Sequence, residues 1–322
     1  MIFYDVFGGL LESELEFPEL RSTLPGTPDW ILRATAASAV PVYAEVLGYD
    51  DVDVGVRVRA LRTPAGYRLE FDDTGVFDIS ADGREIRWYR PPDGNERVAR
   101  LDVCGRVLAV ALHAGGWLSL HGSAVSLGGK AVGFLGSKRS GKSTLAVALA
   151  NAGAQFMSDD MLPVAPIPTP IARPGIKSIR MFADSAACLG ISGEHSVDFG
   201  DAKPTFHEAA IAHRRDSPAA LDSIYLLMPP PLGSPYAAAR RTHVAGLDAA
   251  LGVLRHTKVG ALLGRREAAA LLTRTVALID QVPVYELEIA RDFARLPEVV
   301  RQILSWHGHA PAVRDVVSSV FV

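Results

Sequence analysis

The octet Gly136-Ser137-Lys138-Arg139-Ser140-Gly141-Lys142-Ser143 constrains this chain more than any other stretch of it. In this pattern backbone N–H groups close around phosphate oxygens and the lysine reaches the β- and γ-phosphates. The flanks fit the motif. The apolar run Ala131 to Leu135 predicts a buried strand entering the loop, and Ser143 to Ala150 predicts a helix leaving it, ended by Gly153. The start of that helix adds a favourable dipole for an anion. Strand, loop and helix together predict an α/β domain that binds a nucleoside triphosphate. Residues Gly136, Ser137, Lys138, Arg139, Ser140, Gly141, Lys142, Ser143 and Thr144 would cradle ATP, and Ser143 would ligate Mg²⁺.

With 322 residues the chain is long enough for two domains. Its 48% hydrophobic and 21% charged residues are those of an ordinary globular protein. A formal charge of −3 argues against nucleic acid as a partner, because backbone binding needs a concentrated basic surface. Met1 to Asp5 has no basic region of the kind that opens a secretory signal. Val107 to Gly129 carries no formal charge, but His113, Gly115, Gly116, His121 and Gly122 interrupt it, which predicts a helix and a strand in a core and no membrane span. Cys104 and Cys188 have neither metal nor disulfide spacing, consistent with a cytoplasmic protein.

Residues 1–95 read as a small β-rich domain, with alternation at Val52–Val58, Tyr67–Phe71 and Arg84–Tyr89. Pro91-Pro92-Asp93-Gly94 marks the boundary to a catalytic domain, 96–306. There a helix through Val98 to Leu112 is followed by strands at 118–125, 131–135, 155–158, 223–228 and 284–289. Helices are expected within 246–280 and over 292–306. The prolines at 163, 166, 168, 170 and 174 predict an extended excursion that would be either a plain connector or a wall over the nucleotide. A tail, 307–322, keeps apolar Val316, Val317, Val320, Phe321 and Val322, which fits docking on its own subunit or on a neighbouring one of a homo-oligomer.

A triphosphate site becomes a catalyst when something aligns the metal and the attacking oxygen. Asp159 and Asp160 follow a strand expected to lie beside the loop strand, and successive side chains point opposite ways. One can approach Mg²⁺ while the other accepts a proton. His121, on the neighbouring strand, is suited to tune Asp159. Asp280 sits at the end of a helical pattern and is a weaker metal candidate. Lys177, Arg180, Arg214, Arg215, Arg240, Arg241 and Arg255 are candidate phosphate or carboxylate binders, Lys177 and Arg180 first.

The ordered set Leu120-His121-Gly122, Gly136 to Thr144, and Ser158-Asp159-Asp160 resembles the catalytic domain of the bacterial HPr kinase/phosphorylase family. Arg173 to Arg180 and Val282 to Leu287 resemble segments of related proteins that accompany peptide modification, which extends the likeness over about residues 97–306. The resemblance implies an HPr-kinase-type P-loop fold and an ATP-dependent serine kinase. In it Asp159 is the catalytic base, His121 supports it and the loop binds the nucleotide; the chemistry of phosphoryl transfer adds that Lys142 would stabilise the transferring charge and that Ser143 with Asp160 would hold Mg²⁺. Thr144 stands where the family has Glu, and the later Gly-rich signature is not recognisable, so neither HPr as substrate nor the reverse reaction is implied. A β-rich first part before a reduced kinase domain is similar to the kinases of lasso peptide precursors, which implies a peptide or small-protein acceptor. A small-molecule kinase and a nucleotide-gated binding module without transfer are the alternatives.

Overall fold

The computed structural model describes residues 1–37, 39, 43–53, 56–176, 178–191, 205–207, 213–229 and 238–309. Short alternating segments separated by tight turns build the first part as one nine-stranded sheet. Its strands are β1 (Ile2–Val6), β2 (Gly9–Ser13), β3 (Arg21–Ser22), β4 (Trp30–Thr35), β5 (Glu45–Asp53), β6 (Val56–Thr63), β7 (Gly66–Phe71), β8 (Gly75–Ser80) and β9 (Glu85–Tyr89). They lie in the order β3-β1-β2-β4-β9-β8-β7-β6-β5. All neighbours are antiparallel except β2/β4 and β4/β9. The inward face buries Leu11, Leu32, Leu69, Phe77, Ile86 and Trp88.

The chain then forms α1 (Glu96–Asp102), a π-helical stretch over Val103–Val107, and α2 (Leu108–Ala114). Asn95 caps α1 by accepting from the Arg97 and Val98 amides. Every residue from Leu108 to His113 is buried, because this helix lies under the sheet. It completes the N-terminal core across the boundary that Pro91 to Gly94 marks in the sequence.

The second sheet holds β10 (Leu118–Leu120), β11 (Gly122–Leu127), β12 (Lys130–Leu135), β13 (Gln155–Ser158), β14 (Leu162–Ala165), β15 (Ile171–Ala172), and β18 (Ala219–Leu227), β19 (Ala239–Val244) and β20 (Val284–Ile289). Strands β16 (Ser178–Arg180) and β17 (Thr205–His207) pair apart from it. Helices α3 (Lys142–Asn151), α4 (Ala183–Cys188), α5 (Gly246–Leu254), α6 (Arg265–Ile279) and α7 (Leu296–Trp306) complete the mixed α/β domain. Its parallel centre is β12, β18 and β20. Helices α3 and α7 cover one face in a core with Phe134, Phe156 and Tyr225. Helices α5 and α6 contribute to the core on the other. Among the described residues no helix is long and apolar enough to cross a membrane.

Two sequence expectations are corrected. Strand β13 pairs with β11 and not with the loop strand β12. The hairpin β11–β12 already occupies that side of β12, so the crossover through α3 must carry the chain one strand further out. The proline-rich stretch is no free excursion: β14 pairs with β10, and β15 with β14 and β18, so it is stitched into the sheet. Asp280 follows helix α6, as its spacing predicts.

Candidate functional site

The turn between β12 and α3 has the backbone that an anion cradle needs. Gly141 lies at φ +94° and Arg139 at φ +69°, both left-handed, so the peptide units around them are turned away from the ordinary helical entry. No side chain caps α3, which leaves its first amides to the loop's concavity. A Cβ on Gly136 would stand 2.7 Å from the Ser140 Oγ and 3.1 Å from the Leu227 Cβ, so a side chain there would have to displace that hydroxyl. That Ser140 hydroxyl is buried and has no hydrogen-bond partner among the described residues. Ser137, Lys138 and Arg139 are exposed at the tip, and the Arg139 guanidinium lies 5.4 Å from the Phe182 ring centroid.

Lys142, in the first turn of α3, folds its ammonium back over the loop and donates to the carbonyls of Gly136 (2.8 Å) and Ser137 (3.0 Å). Ser143, next on the helix, donates from Oγ to Asp159 Oδ1 at 2.7 Å, and Ser123 Oγ of β11 donates to the same oxygen at 2.7 Å. Asp159 is only 6% exposed, so a buried carboxylate joins the loop helix to β11. Thr144, one residue on, is half-buried.

Asp160 turns the other way. Its φ of +65° places the residue in the left-handed region, which Asp tolerates better than most side chains. His121, at the break between β10 and β11, sets Nδ1 3.2 Å from Asp160 Oδ1 and 3.1 Å from its carbonyl oxygen. The break requires Gly122, since a Cβ there would stand 2.7 Å from the Phe134 carbonyl oxygen. Lys258 donates from Nζ to Asp160 Oδ2 at 2.6 Å. Burial alone would raise the Asp160 carboxyl. The charge of Lys258 and the hydrogen bond and charge of His121 outweigh it and hold the group well below the usual carboxylate range.

The pairing expected from sequence is therefore exchanged. His121 meets Asp160 and not Asp159, while Ser143 meets Asp159 and not Asp160. The cause is the left-handed turn after β13, which sends two adjacent carboxylates to different partners. Lys177 lies outside the described residues, as do residues 310–322 of the tail. Arg180 contributes backbone to β16, and its side chain likewise lies outside the description. Four other candidate arginines are engaged elsewhere. Arg214 lies over Phe156, Arg215 donates to the carbonyls of Ser217 and Pro218, Arg240 pairs with Glu288, and Arg241 lies between Tyr285 and Trp306.

Lys258, His256 and Ser123 are site residues that the sequence reading does not single out. The basic run Arg255-His256-Thr257-Lys258 is the one signal pointing toward them. Burial, then the charges of Lys142, His121 and Arg255, push the His256 ring down to about 4, so it is neutral at pH 7.

Among the described residues no group of three or more His, Cys, Asp or Glu could hold a metal. Mg²⁺ does not need one, because at triphosphate sites one or two protein oxygens share it with phosphate and water. The Ser143–Asp159 pair has that composition, and the orphaned Ser140 hydroxyl fits a loop built for an anion.

No protein-family model and no curated protein matches the chain. Among solved structures, the Hpr(Ser) kinase/phosphatase from Coxiella burnetii aligns over 59% of this chain and 97% of its own length. The identity is 12% and the TM-score 0.29, too low for that likeness to bear on activity.

Proposed function

We propose that this chain is an ATP-dependent phosphotransferase whose acceptor is a hydroxyl group, with Mg²⁺ as the metal. The observation that carries the reading is the divided acid pair: one carboxylate touches the loop serine at 2.7 Å, and its neighbour is gripped by a histidine and a lysine. A loop for binding alone has no need of the second acid.

Bound Mg-ATP would supply the phosphoryl group and its electrophilic phosphorus. The loop amides and the start of α3 would bind the phosphates. The Lys142 ammonium would leave the carbonyls of Gly136 and Ser137 to meet the charge on the transferring group. Ser143 Oγ and Asp159 Oδ1 would hold the metal in place of their mutual hydrogen bond. Asp160 stays ionised because Lys258 and His121 face it, so it can accept a hydrogen bond from an acceptor hydroxyl and orient it; taking the proton would require the hold of Lys258 to loosen as the new bond forms. These roles exchange the two acids relative to the family pattern, in which the first would be the base.

A serine of a peptide or small protein is the acceptor favoured by the sequence resemblance, including the C-terminal serine of a lasso peptide precursor. Incubation with Mg-ATP and a pool of serine peptides, each with a Ser→Ala control, tests this by mass spectrometry. Phosphorylation confined to serine peptides is expected. Transfer to sugars or nucleosides in preference to every peptide would make it a small-molecule kinase, and nucleotide binding without any acceptor would make it a gated binding module.

A further inference from the structure

Lys258 belongs neither to the phosphate loop nor to its helix, and its reach to Asp160 depends on a segment anchored at two places. Residues 255–259 leave α5 and run along β10. Thr257 bridges to Leu120, the Lys258 amide donates to the Ser119 carbonyl (2.8 Å), and the His121 amide donates to the His256 carbonyl (2.5 Å). The same strap therefore delivers Lys258 and holds the backbone of His121, the two groups that grip Asp160.

The other end of the strap is fixed in the N-terminal half. Val259 and Leu262 are buried in the core under the nine-stranded sheet. The short turn Gly260–Leu262 packs on the edge strand β5, at Gly48. A Cβ on Gly48 would come within 2.4 Å of the Ala261 carbonyl oxygen, so the approach requires glycine. Glu267, in the first turn of α6, is 4% exposed and accepts from Nε and Nη2 of Arg62 on β6 at 3.1 and 2.9 Å. Gly48 and Arg62 thus hold the chain shortly after it leaves the site.

We infer that Lys258 is a positioning residue for Asp160, and that the N-terminal sheet sets that position through residues 255–267. The inference rests on the reading of Asp160 as the acid that faces the acceptor. Charge-assisted hydrogen bonds weaken steeply when donor and acceptor separate, so a small shift of the strap would release the carboxylate from both partners at once. The N-terminal sheet then controls transfer without touching nucleotide, and whatever loads its β5 edge alters the site.

The test uses the full chain and four variants: Lys258→Met, Lys258→Arg, Gly48→Val and, should the last fold poorly, Arg62→Met. Hydrogen exchange is followed residue by residue, together with Mg-ADP affinity and γ-phosphoryl release from Mg-ATP with and without the serine peptide pool. Gly48→Val or Arg62→Met should speed exchange at the His121 and Lys258 amides by about tenfold or more while α3 keeps its wild-type rates. Lys258→Met should lower kcat at unchanged Mg-ADP affinity, with Lys258→Arg restoring most of it, and adding Gly48→Val to Lys258→Met should cause little further loss. Unchanged exchange at His121 and Lys258, equal behaviour of the Met and Arg variants, or multiplicative losses would overturn the inference. Failure of the wild type to bind Mg-ADP would instead sink the nucleotide reading, and the exchange results would still decide whether the strap couples the two halves.

Discussion

Two adjacent carboxylates with different partners set the chemistry at the scale of single residues. Asp159 is held by two serine hydroxyls and Asp160 by a lysine and a histidine, so the same substitution at each should fail differently. Asp160→Asn is expected to lower kcat by about 10²–10⁴ with nucleotide affinity unchanged, since it removes the proton acceptor and leaves the cradle. Asp159→Asn is expected to raise the Mg²⁺ concentration needed for half-maximal rate. Steady-state kinetics across a Mg²⁺ series separates the two, and reversed phenotypes would restore the assignment read from sequence. The residues themselves were legible, because a phosphate loop, a histidine and an acid pair lie within about forty positions. Their pairing was not, because nothing in Ser158-Asp159-Asp160 announces a left-handed turn at an aspartate. Lys258 was hidden for another reason: its contact with Asp160 spans 98 residues, and no local pattern records it.

The elements that position the site differ in how far local sequence decides them. Strand β12 and helix α3 follow from hydrophobic run and cap, and β20 falls on the residues its alternation predicts. The place of β13 does not, since pairing to β11 is a choice among strands that local propensity cannot make. The helix from Glu96 to Ala114 is legible as a helix, but not its π-helical turn or the burial of Asp102 beside that turn. Burial raises the Asp102 carboxyl to about 7, against a hydrogen bond from Thr74 that lowers it. Between 3.8 and about 7 the folded chain keeps a proton that the unfolded chain has released, so stability falls as pH rises through that window. Asp102→Asn removes the slope. Its melting temperature relative to wild type should climb from about pH 4 to pH 7 and then level off. A flat difference across that range would show that Asp102 is ionised in the folded chain.

For the whole molecule, the boundary at Pro91 to Gly94 separates two sheets, but the core under the first sheet continues past it. Val103, Val107 to Leu112, Met161, Val259 and Leu262 all lie in the cluster under the N-terminal sheet. A chain cut after residue 95 would expose that surface, and the two pieces should be recovered folded only when produced together; a stable isolated 96–306 would contradict the shared core. The Arg62–Glu267 pair crosses between the halves with its acid buried. Arg62→Met should destabilise by about 2 kcal/mol or more, because it leaves a buried carboxylate unpaired. Arg62→Met with Glu267→Gln should recover part of that loss in a denaturant titration. Equal single and double losses would mean that the pair contributes nothing beyond packing. Sequence pattern reaches this scale least well, since the contact that ties α6 to the N-terminal sheet, Arg62 to Glu267, spans 205 residues of chain.

The central claim is that the loop from Gly136 to Ser143 holds a magnesium nucleotide through Lys142. Calorimetric titration of Mg-ADP into the wild type and into Lys142→Ala, with melting curves on both, tests it most directly. One site per chain is expected in the wild type, with binding strongly weakened in the variant and its melting temperature little changed. No binding to the wild type, or equal affinity in a folded Lys142→Ala, would contradict it.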